Sequence, residues 1–356
     1  MKKINDKQNI FGDNIAFVEN WDFSRANLNE ENRILAITQV ASICYQNPKA
    51  LGSESLYNRL MAESQGLPSS SFEFVPVLLD YENQKHQEIL KLEYSNCKKF
   101  GEILYGRYLL TNYRALVYDF EQAKDNFSFD IRAIFNTPEE CEIIKQHFKV
   151  FLFKVDFPTR SQMVRHRVSW QELSRRYVSG SRVPFEFYIS NKMKEVLLFD
   201  EGVSVKGSKV KTCFTVQDII DISLKFYKQA LKQGIKPQEA RRIIPQSAYT
   251  HIWGAFMPKQ LDNYFKLRLD ESAQWVIQQT AVAMKELIKY LKSMTCPYEI
   301  ALEKALKEIK KCQNDTMKKQ TCFGCVKFFS CQNRQDYVKK VYSSMSKDKA
   351  GNFEFN

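Results

Sequence analysis

Apolar positions recur at helical spacing over residues 31–41, where Ile34, Leu35, Ile37, Val40 and Ala41 line one side. A second helix is predicted over residues 56–62, and the Gly66-Leu-Pro-Ser-Ser-Ser71 loop breaks it. Residues 72–79 then read as a strand. Residues 80–150 mix polar and aromatic positions without a clean period and are expected to form an insertion or small subdomain. Residues 148–157 alternate as a buried strand that Pro158 ends. Residues 215–231 form an amphipathic helix stopped near Gly234, and Pro237 opens a short helix carrying Arg241 and Arg242, which Pro245 interrupts. After Arg268, Asp270 or Ser272 can cap a long helix with Trp275, Met284, Leu287, Ile288 and Leu291 on one face. Without repeats or a regular strand–helix alternation, the expected class is α+β.

The chain has 356 residues, 44% hydrophobic and 13% aromatic, enough for one large domain or two and too apolar for a wholly disordered chain. Its longest apolar stretches, such as residues 74–79, fall far short of the ~20 residues a spanning helix needs. The N-terminus is basic but lacks the apolar core of a secretory signal, so a soluble cytoplasmic protein is expected.

Charge sharpens the picture. Lys and Arg number 53 against 41 Asp and Glu, a net of +12, which suggests phosphate-bearing partners. Residues 299–349 hold 12 basic and 6 acidic residues, so half the excess lies there. Between residues 160 and 182, six arginines (Arg160, Arg165, Arg167, Arg175, Arg176 and Arg182) face one acid, Glu172. Arginine is suited to a bidentate grip on phosphate. No glycine-rich phosphate loop is present, so a nucleotide must be held by side chains and helix ends. The set fits an anionic ligand bearing a hydrogen-bonding base; a surface helix with Arg–Glu pairs is the plainer alternative.

Arg165-His166-Arg167, followed by Glu172-Leu-Ser174 and Arg176-Tyr177, resembles the signature of the flavin-dependent thymidylate synthases. That signature places seven residues between Arg-His-Arg and Ser; here there are six, 168–173. Phe185-Glu-Phe-Tyr188 also matches, as do Ala240-Arg241-Arg-Ile-Ile-Pro245, Tyr249-Thr250, Asn263, Leu267-Arg268, Asp270 and Ala273-Gln-Trp275. The likeness is strong over residues 154–300 and weaker over 30–76.

The resemblance implies an antiparallel sheet packed with helices, with a catalytic domain over 1–300 interrupted by the 80–150 insertion. It implies reductive methylation of dUMP to dTMP, with FAD as cofactor, methylenetetrahydrofolate and NADPH as co-substrates, and a homotetramer with active sites between subunits. Carried across residue by residue, Ser70, Arg165, His166, Arg167, Glu172 and Asn263 contact FAD. Gln162, Arg165, Ser174, Arg176, Arg241 and Arg268 hold dUMP, and Arg268 is the catalytic group that favours the N3-ionised uracil. From the sequence, Arg268 is expected just before a helix N-terminus, where the macrodipole adds to its field; a salt bridge to Asp270 or Glu271 is the bland alternative. The chain departs from the family at Pro68, Met257, Lys259 and Ser272.

Nine cysteines and no export signal suggest reduced thiols, with Cys44, Cys97, Cys141 and Cys213 packed as small hydrophobes. Cys312, Cys322, Cys325 and Cys331 cluster in a basic, helical tail over 301–356, with Cys296 nearby. Zn²⁺ or an iron–sulfur cluster, or free thiols, are both open readings there. With Phe323, Phe328 and Phe329, that tail could instead bind nucleic acid, and a nucleic-acid-binding protein or an inactive family member are the rival functions.

Overall fold

The computed structural model describes residues 1–4, 7–10, 13–62, 67–200, 204–205, 208–209 and 212–295. Two compact units divide the chain, Met1–Lys285 and Glu286–Asn356, and the sheet and the helices up to Arg268 belong to the first. Cys312, Cys322, Cys325 and Cys331, for which a metal site and free thiols are both open readings, lie outside the described residues.

The first unit is α+β, built on an antiparallel sheet whose central strand is Lys149–Asp156. Asp13–Asp22 pairs with one edge of it and Tyr249–Phe256 with the other, in registers Asn20↔Phe151 and Gly254↔Phe151. Lys2–Lys3 and Gln8–Ile10 extend the sheet on the first side, and Ser169–Glu172 closes it on the second. Val150, Phe151, Phe153 and Val155 of the central strand are all fully buried. Burying each is worth about 1.5–3 kcal/mol relative to exposure, so this strand anchors the unit.

The first long helix, Glu30–Tyr45, is capped by the Asn29 side chain and outruns the apolar pattern at both ends. Its inner face shares one core with Phe72, Val77, Leu110, Leu116, Ile131, Ile144 and Val150. Residues 80–150 therefore share a core with the rest of the unit. They contribute the strands Tyr108–Asn112 and Glu102–Leu104, which join Pro76–Asp80 in a three-stranded antiparallel sheet, with helices Tyr113–Ala123 and Pro138–His147 beside it. Arg33 stitches the two parts: it is 3% exposed, donates to the carbonyls of Arg132 and Ile134, and lies over the rings of Tyr113 and Phe135.

Four expectations change. Residues 72–79 are not one strand. A 3-10 turn spans Ser70–Phe74, started where the Ser69 hydroxyl accepts from the Ser71 amide, and the strand begins at Pro76. A helix absent from the sequence reading, Pro258–Arg268, follows the Tyr249–Phe256 strand. It is polar, burying only Leu261 and Tyr264, so it carries little apolar period. Asp270 accepts from the amide and hydroxyl of Ser272 in a local turn, and the long helix starts later, at Trp275. Cys44, Cys97 and Cys141 are buried as expected, but Cys213 is exposed.

Gly254 stands opposite Trp170, and a Cβ there would meet the indole at 2.6 Å and the Phe256 ring at 3.0 Å. The indole nitrogen of Trp170 donates to the His166 carbonyl at 3.1 Å, so the glycine makes room for the ring that pins the Arg-His-Arg turn. Gly254→Ala is predicted to cost about 1–3 kcal/mol of stability, seen as a lower melting temperature. An unchanged melting temperature would show that Trp170 yields without loss.

Candidate active site

Asp156 caps the helix Phe157–Met163, with Pro158 in its first turn, which is why the strand becomes a helix at this point. The Arg165-His166-Arg167 tripeptide follows as an irregular turn, ahead of the Ser169–Glu172 strand. Arg165 and Arg167 are exposed, while His166 is 8% exposed and packs on Tyr264 with ring centroids 4.7 Å apart.

Arg268 is the last residue of Pro258–Arg268, so the expectation that it precedes a helix N-terminus is wrong. It sits at the carbonyl end, where the macrodipole favours its charge but adds nothing to its field. Its guanidinium has no ion pair among the described residues. Instead Nε donates to His166 Nε2 at 2.8 Å and Nη2 to the Gln162 carbonyl at 3.2 Å. The Gln162 side chain meets Gln274. An acceptor at Nε2 requires a neutral imidazole with its proton on Nδ1. Burial, and then the Arg268 charge, lower the His166 pKa from 6.5 to about 4.

A second set of contacts organises the other side. Glu172 pairs with Arg160 at 2.5 Å, as the arginine-rich surroundings suggested. Ser70 donates to Gln171 at 2.5 Å, and Gln171 donates in turn to the Cys44 sulfur at 2.9 Å. The Cys44 thiol donates to the Glu172 carbonyl, and the Ser174 amide donates to the Cys44 carbonyl at 3.1 Å. The Ser70 turn, the first long helix and the Glu172–Ser174 stretch are thus tied together. Arg175 turns inward, donating to the carbonyls of Val183 and Pro184 and stacking on Phe185, which sets residues 185–188 beside 247–249.

Ser70, Gln162, His166, Glu172, Ser174 and Arg268 therefore fall into two bonded groups. Arg165, Arg167, Arg176 and Arg241 are exposed and, among the described residues, have no carboxylate partner. Asn263 is exposed on the helix that ends in Arg268. Neither motif nor spacing placed Gln171, Cys44, Arg160 or Tyr264 at the site. Only the Arg–Glu composition hinted at Arg160; the others are joined by long-range contacts that spacing does not encode. Of the remaining histidines, His86 accepts from the Asp80 amide, His147 meets the Tyr105 hydroxyl and His251 packs on Phe17. Among the described residues no group of His, Cys, Asp and Glu could hold a metal, and no helix is long and apolar enough to cross a membrane.

The first unit is thus a mixed helix-and-antiparallel-sheet fold in which a half-buried Arg268 meets a buried His166 and the neighbouring Arg165 and Arg167 stay exposed. The family description "thymidylate synthase complementing protein" matches residues 141–291. The flavin-dependent thymidylate synthase of Thermotoga neapolitana is 32% identical over 165 residues, 44% of this chain and 69% of its own. That of Thermosipho africanus is 33% identical over 147 residues, 39% of this chain and 63% of its own, so the chain spans under two thirds of that relative. A solved structure of the UMP/dUMP methylase PolB from Streptomyces cacaoi, bound with 5-Br UMP, aligns over 39% of this chain at 23% identity with a TM-score of 0.30. The chain belongs to the flavin-dependent thymidylate synthase family.

The folded pKa of His166 lies below its unfolded value, so the unfolded chain takes the proton first as pH falls. Stability from this group is complete above pH 6.5 and is lost toward pH 4, and His251, brought to about 4 by burial and then by Lys154, acts in the same window. The melting temperature is predicted to fall between those pH values, and to fall less in His166→Gln. Equal slopes would show that His166 is not held neutral.

Proposed function

We propose that this chain catalyses FAD-dependent reductive methylation of dUMP to dTMP, with methylenetetrahydrofolate as carbon donor and NADPH reducing the flavin. The observation that carries this reading is the pair of exposed, carboxylate-free arginines, Arg165 and Arg167, flanking a buried His166 that holds Arg268. A surface helix of Arg–Glu pairs would have neutralised those two guanidiniums; here the only carboxylate of the cluster is taken by Arg160.

The donor set fits a flavin dinucleotide. Arg165 and Arg167 offer guanidiniums to a pyrophosphate, the Ser70 hydroxyl, whose proton goes to Gln171, offers an acceptor and the Asn263 amide hydrogen bonds, and His166 and Glu172, held by Arg268 and Arg160, complete the set. FAD, when bound, supplies the hydride. Arg176, Arg241 and Arg165 bind the dUMP phosphate, and the Gln162 and Ser174 side chains orient the nucleotide. Arg268 spends Nε and Nη2 on His166 and Gln162, which fixes the guanidinium plane and leaves Nη1 for the uracil. Its charge beside the ring stabilises the N3-ionised base, which makes carbon 5 a better nucleophile without a cysteine adduct.

A homotetramer with sites between subunits accords with the apolar row Ile219, Ile222 and Phe226, exposed on the helix Val216–Lys232 at 48%, 43% and 64%. The protein acts in the cytoplasm in this reading.

Arg268→Ala is predicted to lower dTMP formation about a hundredfold or more in an anaerobic assay, with flavin retained and the melting temperature near wild type. Full activity in that variant would remove Arg268 from the mechanism.

A further inference from the structure

Beyond the shared core, two charged side chains of residues 80–150 reach backbone groups of the site machinery. Arg114, on the helix Tyr113–Ala123, donates through Nε to the Pro68 carbonyl at 2.9 Å and through Nη1 to Glu73 at 2.5 Å. Those two residues bracket Ser70. On the other side, Glu102 Oε2 accepts from the Lys259 amide at 3.0 Å, across 157 residues of chain.

The second contact meets a specific need. The first helical residue of Pro258–Arg268 is proline and offers no N–H, and its N-cap, Met257, has no side-chain oxygen. Gln260 cannot serve the second-position donor, because its side chain is spent elsewhere: the carbonyl oxygen takes the Met257 amide and the nitrogen donates to the Arg167 carbonyl at 3.0 Å. The open amide is that of Lys259, and a carboxylate from residues 80–150 takes it. A negative charge there also complements the positive end of the helix dipole. Asn263 and Arg268 ride on this helix, which is about 16 Å long.

We propose that residues 80–150 act as a two-point brace for the site. Arg114 is a positioning residue for the Ser70 turn on the flavin side, and Glu102 is a positioning residue for the Arg268 helix on the nucleotide side. The assignment of the two sides rests on the function proposed above; the brace itself rests on the contacts.

The test separates the two arms. Flavin affinity is read by quenching of FAD fluorescence, and dUMP affinity by the change it causes in the bound flavin's absorption. Glu102→Ala is expected to weaken dUMP roughly two- to fivefold and FAD by less, since Asn263 is the one flavin contact on that helix, and Glu102→Gln, which keeps an acceptor, to recover part of the loss. Arg114→Met is expected to weaken FAD roughly tenfold, with Arg114→Lys recovering part. Amide hydrogen exchange is measured on the same proteins: faster exchange over 258–268 in Glu102→Ala, and over 68–74 in Arg114→Met, is the brace's own signature. If both variants bind as wild type does, or if exchange is unchanged in these segments, the brace is wrong. If wild type takes up no FAD, the functional reading fails, and the exchange data alone decide the brace.

Discussion

The hydrogen bond from Arg268 Nε to His166 Nε2 joins two pieces of chain 102 residues apart, and the site exists only where they meet. It works because His166 is neutral, and it is neutral because it is buried against Tyr264 beneath the Arg268 charge. Two cations side by side in that setting would repel at close range, so burial selects the imidazole. The surrounding structure serves this pairing. Trp170 pins the His166 carbonyl, Gly254 leaves space for Trp170, and the Gln162 carbonyl takes the second nitrogen of Arg268.

The sheet explains why those pieces arrive together. Tyr249–Phe256 lies between the central strand and Ser169–Glu172, so the turn before one and the helix after the other leave the sheet on adjacent strands. Exposed Arg165 and Arg167 then flank a rigid centre, which is the arrangement that electrostatic preorganisation requires. Residues 80–150 share the core of the first long helix and reach the site from outside the sheet, at the Pro68 carbonyl and the Lys259 amide.

Much of this was legible in the sequence where apolar period or motif chemistry was strong. The first long helix, the central strand, the Val216–Lys232 helix and the α+β class follow from spacing, and the arginine cluster with Glu172 follows from composition. The helix Pro258–Arg268 did not, since a polar helix with two buried side chains has almost no period, and losing it reversed the placing of Arg268 relative to the dipole. The Cys44–Gln171–Ser70 chain was illegible for another reason: each residue is ordinary in its local context, and only the fold brings 44, 70 and 171 together.

In the proposed reading the exposed arginines and the Arg268–His166 pair hold a flavin and a uracil nucleotide together. The most direct measurement is the visible absorption spectrum of the purified protein, as isolated and after FAD is added and the excess removed, followed by dUMP. A retained flavin band that shifts when dUMP is added is expected. A protein that stays colourless after FAD, or a bound flavin indifferent to dUMP, would contradict that reading.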